Sequence, residues 1–305
     1  MIQLFNIPDY IIDTSKFNHY LHDSIISEFE KEFAAYVGAK YACSISSATN
    51  AIFLSLLNKN TTVSIPSLIP PVVCNAILTS GNKIKFIDDV NWIGDSYTLH
   101  DFGDYKIIDS AQKVDRNQFQ KEANDNDLMI FSFYPTKPIG SMDGGMIVSN
   151  DWDKIQWFKE AAMNGMSYAT NNWDRSIKFP GYKMYMNSMQ CYIALQNLKK
   201  LDAKKSRLKE IRDIYNKELS YTNASDHLYR IEVANNKSFI KKLREMNIVA
   251  GIHYKAMHCE PTYMSNSSDN CPLSETIQHH TASIPFNENL TDEDVIHVIN
   301  SIKNV

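Results

Sequence analysis

YACSISSATNAIFLSLL, residues 41–57, is the stretch from which the fold is read. It opens as a short apolar strand, passes a small-residue turn at Ser46 and Ser47, and continues as the helical run TNAIFLSLL. The same alternation repeats downstream: TTVSIPS (61–67) reads as a strand, PVVCNAILTSG (71–81) as a helix and KIKFID (83–88) as a strand. Strands alternating with helices indicate βα units on a largely parallel sheet. Upstream, SIISEFEKEFAAYV (24–37) sets Ile25, Ile26, Phe29, Phe33 and Val37 at helical spacing, with Gly38 as a stop. Further strand candidates are YKIID (105–109), DLMIFSF (127–133) and GMIVS (145–149), each bounded by polar or glycine punctuation.

The second half changes character. A long helical stretch from about Asn187 to Leu219 carries Met189, Ile193, Leu195, Leu198 and Leu201 on one face and reads as a bridge. Beyond it, LYRIEV (228–233) and IVAGIHY (248–254) read as strands, and KSFIKKLREMN (237–247) and TDEDVIHVINSI (291–302) as helices, the last capped by Thr291. The expected architecture is α/β: a large domain over 1–205 with a mostly parallel sheet flanked by helices, and a small C-terminal α+β domain over 206–305. SNSSDN (265–270) reads as a mobile surface turn.

Composition narrows the function classes. With 305 residues, 44% hydrophobic and 22% charged, the chain is that of a soluble globular enzyme, and its net charge of -4 gives no reason to expect nucleic acid or an anionic membrane as partner. The N-terminus lacks a signal-peptide pattern and no stretch approaches the roughly 20 apolar residues of a membrane span, so a cytoplasmic location is expected. Five cysteines without a CxxC pair argue against a disulfide framework or a zinc site, and no metal is expected at Cys259 and Cys271 or the nearby His253 and His258.

The segment FSFYPTKPIGSMDGG (131–145) carries the chemistry, because a strand runs directly into a turn holding Lys137. A lysine at a strand end of an α/β sheet can be desolvated until its free amine attacks a carbonyl, although most lysines are solvated surface groups. Asp109, ending YKIID, is a carboxylate at the end of a buried strand, as needed to keep a pyridine nitrogen protonated. Ser47, Ala48 and Thr49 sit at a strand-to-helix junction where backbone N–H groups and hydroxyls can hold a phosphate, and Ser132 adds a hydroxyl. Taken singly, Asp109 and Thr49 read equally well as helix caps. Together the four requirements are those of a pyridoxal phosphate (PLP) site.

The order of these segments resembles the DegT/DnrJ/EryC1/StrS family of sugar aminotransferases, which have the aspartate-aminotransferase fold. EFEKEFAAYVGAKYACSISSATNAI, IPSLIPPVVCNAILTSGNKIKFIDD, IIDSAQ, FSFYPTKPIGSMDGG, PGYKMYMNSMQCYIALQNLKKLD, IVAGIHYKAMH and ASIPFNENLTDEDVIHVI carry the likeness over nearly the whole chain. The resemblance implies that Lys137 forms the Schiff base with PLP, Asp109 pairs with the ring nitrogen and Gln112 meets the phenolic oxygen. It implies that Ala48, Thr49 and Ser132 hold the phosphate, and that Lys183 reaches the phosphate in a neighbouring subunit, giving a homodimer with shared sites. Tyr185, His253 and Tyr254 would face the sugar, a structural role in the small domain being an equal reading for His253 and Tyr254. The implied reaction is amino transfer from glutamate to a nucleotide-linked keto sugar, most plausibly a 4-keto-6-deoxyhexose. The family's sugar 3-dehydratases carry histidine at the lysine position, so Lys137 argues against that reading, and Lys137, Asp109 and Gln112 together argue against a non-catalytic PLP-binding protein.

The chain departs from the family pattern at four places. Lys183 and Tyr185 stand where many members carry Asn and Arg, Pro70 where a ring-stacking aromatic often lies, and Ala48 where glycine is frequent. Only VNWIGDSYTLHDFGDYK (90–106) joins FIDD to IIDSAQ, so at least one helix is expected to be missing there.

Overall fold

A computed structural model describes residues 1–7, 10–167, 176–264 and 269–305. The first half runs α1 (Ile25–Val37), β1 (Tyr41–Ile45), α2 (Ala48–Leu56), β2 (Thr62–Pro66), α3 (Pro71–Thr79), β3 (Lys83–Ile87), β4 (Tyr97–Asp101), β5 (Lys106–Asp109), α4 (Gln118–Glu122), β6 (Leu128–Ser132), β7 (Gly145–Ser149) and α5 (Trp152–Ala162). The second half holds α6 (Ser188–Leu219), β8 (Tyr229–Glu232), α7 (Asn236–Glu245), α8 (Pro261–Met264), α9 (Pro272–His280), β9 (Thr281–Ile284) and α10 (Asp292–Lys303).

Local chemistry sets the element ends. α1 buries Ile26, Phe29, Phe33 and Val37 and stops at Gly38, whose φ of 80° is costly for residues with a Cβ. Asn187 and Thr291 close capping boxes on α6 and α10. Asp292, Glu293 and Asp294 place negative charge at the positive end of the α10 dipole.

The central sheet is mixed, in the order β1-β7-β6-β5-β4. β5 and β6 are parallel, whereas β1/β7, β6/β7 and β4/β5 are antiparallel. A separate parallel pair, β2/β3, lies beside β4. The antiparallel β4 is the structural consequence of the short 90–106 connection. No helix stands between β3 and β5, and a parallel return requires a crossover of a dozen or more residues, so the chain can only fold back through a tight turn at Gly103.

Three apolar clusters form the core. One packs α2 and α3 against β1, β2 and β5–β7, and a second packs α1 and the first half of α6 on the sheet's other face. The third joins Leu208, Ile211 and Tyr215 of α6 to β8, α7, β9 and α10, with Ile2 packed against it. Met257, Tyr263 and Cys271 from the C-terminal half belong to the first cluster.

One sequence expectation fails here. IVAGIHY is not a strand: Ile248 bridges only Ile2, and Gly251 bridges only Ser283 of β9. The stretch is tied to two different neighbours at separate points, so no continuous ladder forms. β9, which the sequence reading missed, pairs antiparallel with β8 instead. Of the turn at 265–270, residues 265–268 lie outside the described residues. No helix among the described residues is long and apolar enough to cross a membrane.

Candidate active site

Strand register gathers the sequence-predicted residues along one sheet edge. Ile45, ending β1, and Ser132, ending β6, are both in register with Gly145, which opens β7. Asp109, ending β5, is in register with Ile130 on one side and Tyr97 on the other. The chain leaves β6 through a turn in which the Lys137 N–H donates to the Tyr134 carbonyl at 2.8 Å.

Burial then tunes the two ionisable groups. Asp109 is buried, and desolvation raises its pKa. The Ala111 N–H (2.9 Å), the Tyr97 hydroxyl (3.0 Å) and the Lys137 charge act in the opposite sense by favouring the carboxylate. Lys137 keeps part of its surface exposed, but desolvation around its amine lowers its pKa to about 8, with Asp109 opposing the shift. An amine and a carboxylate are therefore held in one poorly solvated place, each shifted toward its neutral form.

The turn after β1 forms a second feature. Ser47 caps α2 by accepting from the Asn50 N–H at 3.1 Å, and Ala48 and Thr49 form the first turn of the helix. Ala48 is helical, so its replacement of glycine costs no positive φ. Gly145 backs this turn so closely that a Cβ there would lie 2.6 Å from the Ala48 nitrogen and 2.7 Å from the Ser47 carbonyl carbon. Ser132 is buried at the adjacent strand end. Backbone donors at a helix N-terminus, hydroxyls beside them, and an amine opposite a buried carboxylate are a donor set that fits PLP.

Gln112 is buried and spends its carbonyl oxygen on the Gly94 N–H at 2.9 Å. Lys183 has an exposed side chain, while its segment lies against its own chain's turn: the Ser46 N–H donates to the Met184 carbonyl at 2.6 Å and Tyr185 bridges Ile45. His253 bonds through Nδ1 with Ser283 Oγ at 2.9 Å, and burial together with the Lys137 and Arg230 charges lowers its pKa to about 4. Tyr254 lies parallel to Trp92 at 6.0 Å and within electrostatic reach of Asp109. All ten predicted site residues are described, and Lys183 alone is an exposed one.

Sequence reasoning missed Trp92, Tyr97, His227 and Arg230. Tyr97 holds the Asp109 carboxylate, and Trp92 packs 4.7 Å from Tyr97, so aromatic groups reach the site although position 70 is proline. His227 is buried, stacks on Phe5 at 5.5 Å and is kept neutral by desolvation and the Lys137 charge. Trp92 and Tyr97 lie in the departing segment, where no motif could flag them. Elsewhere His258, Cys259 and Glu275 come together, with His258 Nδ1 2.5 Å from Ser67 Oγ and Nε2 3.1 Å from Glu275. Both ring nitrogens thus have protein partners.

Comparison with known proteins agrees with this geometry. The chain is 25% identical to the spore coat polysaccharide biosynthesis protein SpsC of Bacillus subtilis (strain 168), over 92% of this chain and 89% of that protein. It is 28% identical to the UDP-4-amino-4,6-dideoxy-N-acetyl-beta-L-altrosamine transaminase of Campylobacter jejuni subsp. jejuni serotype O:23/36 (strain 81-176), over 78% of this chain and 76% of that one. The fold matches the crystal structure of the aminotransferase TlmJ from Streptoalloteichus hindustanus with a TM-score of 0.82 at 19% identity, covering 100% of this chain and 98% of that one. The DegT/DnrJ/EryC1/StrS aminotransferase family model matches residues 7–92 and 105–303, and the interruption falls on the shortened connection and β4. With the family pattern spanning both halves and its motifs gathered at one sheet edge, the chain belongs to the DegT/DnrJ/EryC1/StrS aminotransferase family and is an aminotransferase.

Proposed function

We propose that the protein transfers the amino group of glutamate to a nucleotide-linked keto sugar, a 4-keto-6-deoxyhexose, as a cytoplasmic homodimer built from a large domain (1–205) and a small one (206–305). The observation that carries this reading is the pairing of Lys137 and Asp109 in one desolvated place beside the α2 N-terminus.

Lys137 would hold PLP covalently, Asp109 would pair with its ring nitrogen and Gln112 with its phenolic oxygen, while Ala48, Thr49 and Ser132 would hold the phosphate. When bound, PLP supplies an electron sink for the charge left on a substrate carbon as its proton departs. Desolvation raises the pKa of Asp109, while the Ala111 N–H, the Tyr97 hydroxyl and the Lys137 charge favour its carboxylate form, in which it would hold a proton on a facing nitrogen. Lys137 Nζ, with a pKa of about 8, is unprotonated in a useful fraction of molecules near neutral pH, so it can act as nucleophile and, once released, take the proton from the donor's α-carbon. His253 and Tyr254 line the approach, His253 as a neutral ring. Lys183 and Tyr185 would meet the phosphate and substrate of the partner subunit's site.

Lys137→Ala tests the assignment. The purified variant should lose both the visible absorbance of covalently held PLP and all turnover of glutamate with a keto-sugar acceptor. A variant that keeps both would overturn the role of Lys137.

A further inference from the structure

Asp109, the proposed partner of the cofactor ring, ends β5, and Tyr97, which opens β4, stands directly opposite it in the antiparallel register. Residues paired across two strands project to the same face of the sheet, so the phenol runs alongside the carboxylate. The Tyr97 hydroxyl donates to Asp109 Oδ2 at 3.0 Å, and the Ala111 N–H donates to Oδ1 at 2.9 Å. Each carboxylate oxygen thus has one donor from the protein and keeps lone pairs for a further one.

The phenol is held in place. Its ring packs against Trp92 with centroids 4.7 Å apart, on the apolar cluster to which Trp92 belongs. Burial and the Asp109 charge push its hydroxyl well above the ordinary tyrosine pKa, so it stays a donor throughout the range in which Asp109 titrates. The titratable groups facing Asp109 are Tyr97 from β4, Lys137 from the turn after β6 and Tyr254 from the C-terminal half. Among the described residues, Tyr97 is the one whose side chain hydrogen-bonds the carboxylate. Tyr97 also lies between the stretches 7–92 and 105–303 that match the family pattern. The donor therefore comes from the segment in which this chain departs from the family.

We propose that Tyr97 is a positioning residue for the transamination site: its hydroxyl fixes the Asp109 carboxylate toward the cofactor ring, which makes β4 part of the active site. The inference rests on Asp109 being the partner of the ring nitrogen. A hydrogen bond donated to a carboxylate favours its charged form, and that form can hold a proton on a facing nitrogen. Without the hydroxyl, burial is less opposed, and Asp109 takes up its own proton at a higher pH.

The experiment measures PLP affinity by equilibrium dialysis across the acid range in wild type, Tyr97→Phe, Asp109→Asn and the double variant. In wild type, affinity should fall as acid protonates Asp109. Tyr97→Phe keeps a ring against Trp92 and removes one hydrogen bond to a charged group. It should move that fall upward by about one pH unit, so that below it PLP binds about tenfold more weakly. In the Asp109→Asn background the same change should leave affinity unaltered at every pH, because the group it acts on is gone. A tyrosine that served packing alone would weaken binding equally at every pH and in both backgrounds. That result overturns the proposal, as does a Tyr97→Phe profile superimposable on wild type. If Tyr97→Phe fails to fold, replacing Tyr97 by a ring-fluorinated tyrosine carries the test: the more acidic hydroxyl is a stronger donor and should move the fall to lower pH, and an unmoved fall overturns the proposal. Wild-type affinity and turnover in Asp109→Asn would remove the role of Asp109 and the proposal with it, whereas an impaired Asp109→Asn beside an unimpaired Tyr97→Phe removes the proposal alone.

Discussion

Lys137 and Asp109 show how two ordinary side chains acquire unusual proton affinities. Both are desolvated, and each is the other's counter-charge, so neither shift belongs to its residue type. The lysine shift has a consequence for stability. In protein freed of cofactor, folded Lys137 releases its proton near pH 8, whereas an unfolded lysine holds it to about pH 10.4. Between these values the unfolded chain binds more protons, so stability from this group rises with pH across the window, as a burial penalty on the charged amine is relieved. Urea denaturation of cofactor-free wild type and Lys137→Met should therefore differ in slope over that range, with the variant lacking the rise. Equal slopes in the two proteins would show that the amine is solvated.

Elements enter the site through their ends. The α2 N-terminus is pressed against the start of β7, and only a glycine at 145 permits the approach, because the clashing atoms would be backbone of Ser47 and Ala48. Gly145→Ala should push the turn away from Ser132, lowering PLP affinity about tenfold or more and costing about 1–3 kcal/mol of stability. Equilibrium dialysis with PLP and thermal denaturation measure the two effects, and a variant with wild-type values for both would show that the turn adapts. β4 makes a contrasting case. YTLHD buries a single aliphatic residue, Leu99, and is interrupted by a register shift at Thr98/His100, so it carries no alternation that a sequence pattern could detect. Yet its first residue, Tyr97, donates to the Asp109 carboxylate.

At the scale of the whole molecule, the proposed homodimer predicts that Lys183 of one subunit serves the site of the other. Its segment hydrogen-bonds to its own Ser46 while its side chain is exposed, an arrangement that leaves the ammonium available to a partner. Inactive Lys137→Ala and weakly active Lys183→Ala would be unfolded and refolded together so that about half the dimers are mixed. In a shared-site dimer each mixed molecule has one site with both lesions and one with none, so about a quarter of wild-type activity should return. Activity equal only to the average of the two parents would place Lys183 in its own subunit's site or in none.

What the sequence determined by itself was everything governed by neighbours along the chain. The stop at Gly38 and the cap at Thr291, the start of the long helix near Asn187, the period of α1 and α6, the strands bounded by polar punctuation, and the order Ser47–Asp109–Lys137 are all local, and all are found in place. The tertiary structure decided what depends on partners distant in sequence. Strand direction was settled by connection length and by pairs such as Tyr41 with Ser149. IVAGIHY has strand composition but found no continuous neighbour, whereas Tyr97 came from an unremarkable loop to hold Asp109. Whether a cation is neutralised is likewise a matter of geometry. Nothing in LYRIEV separates Arg230 from an ordinary surface arginine; burial without a carboxylate partner among the described residues does, because a charge's cost depends on the solvent it loses and the partner it meets.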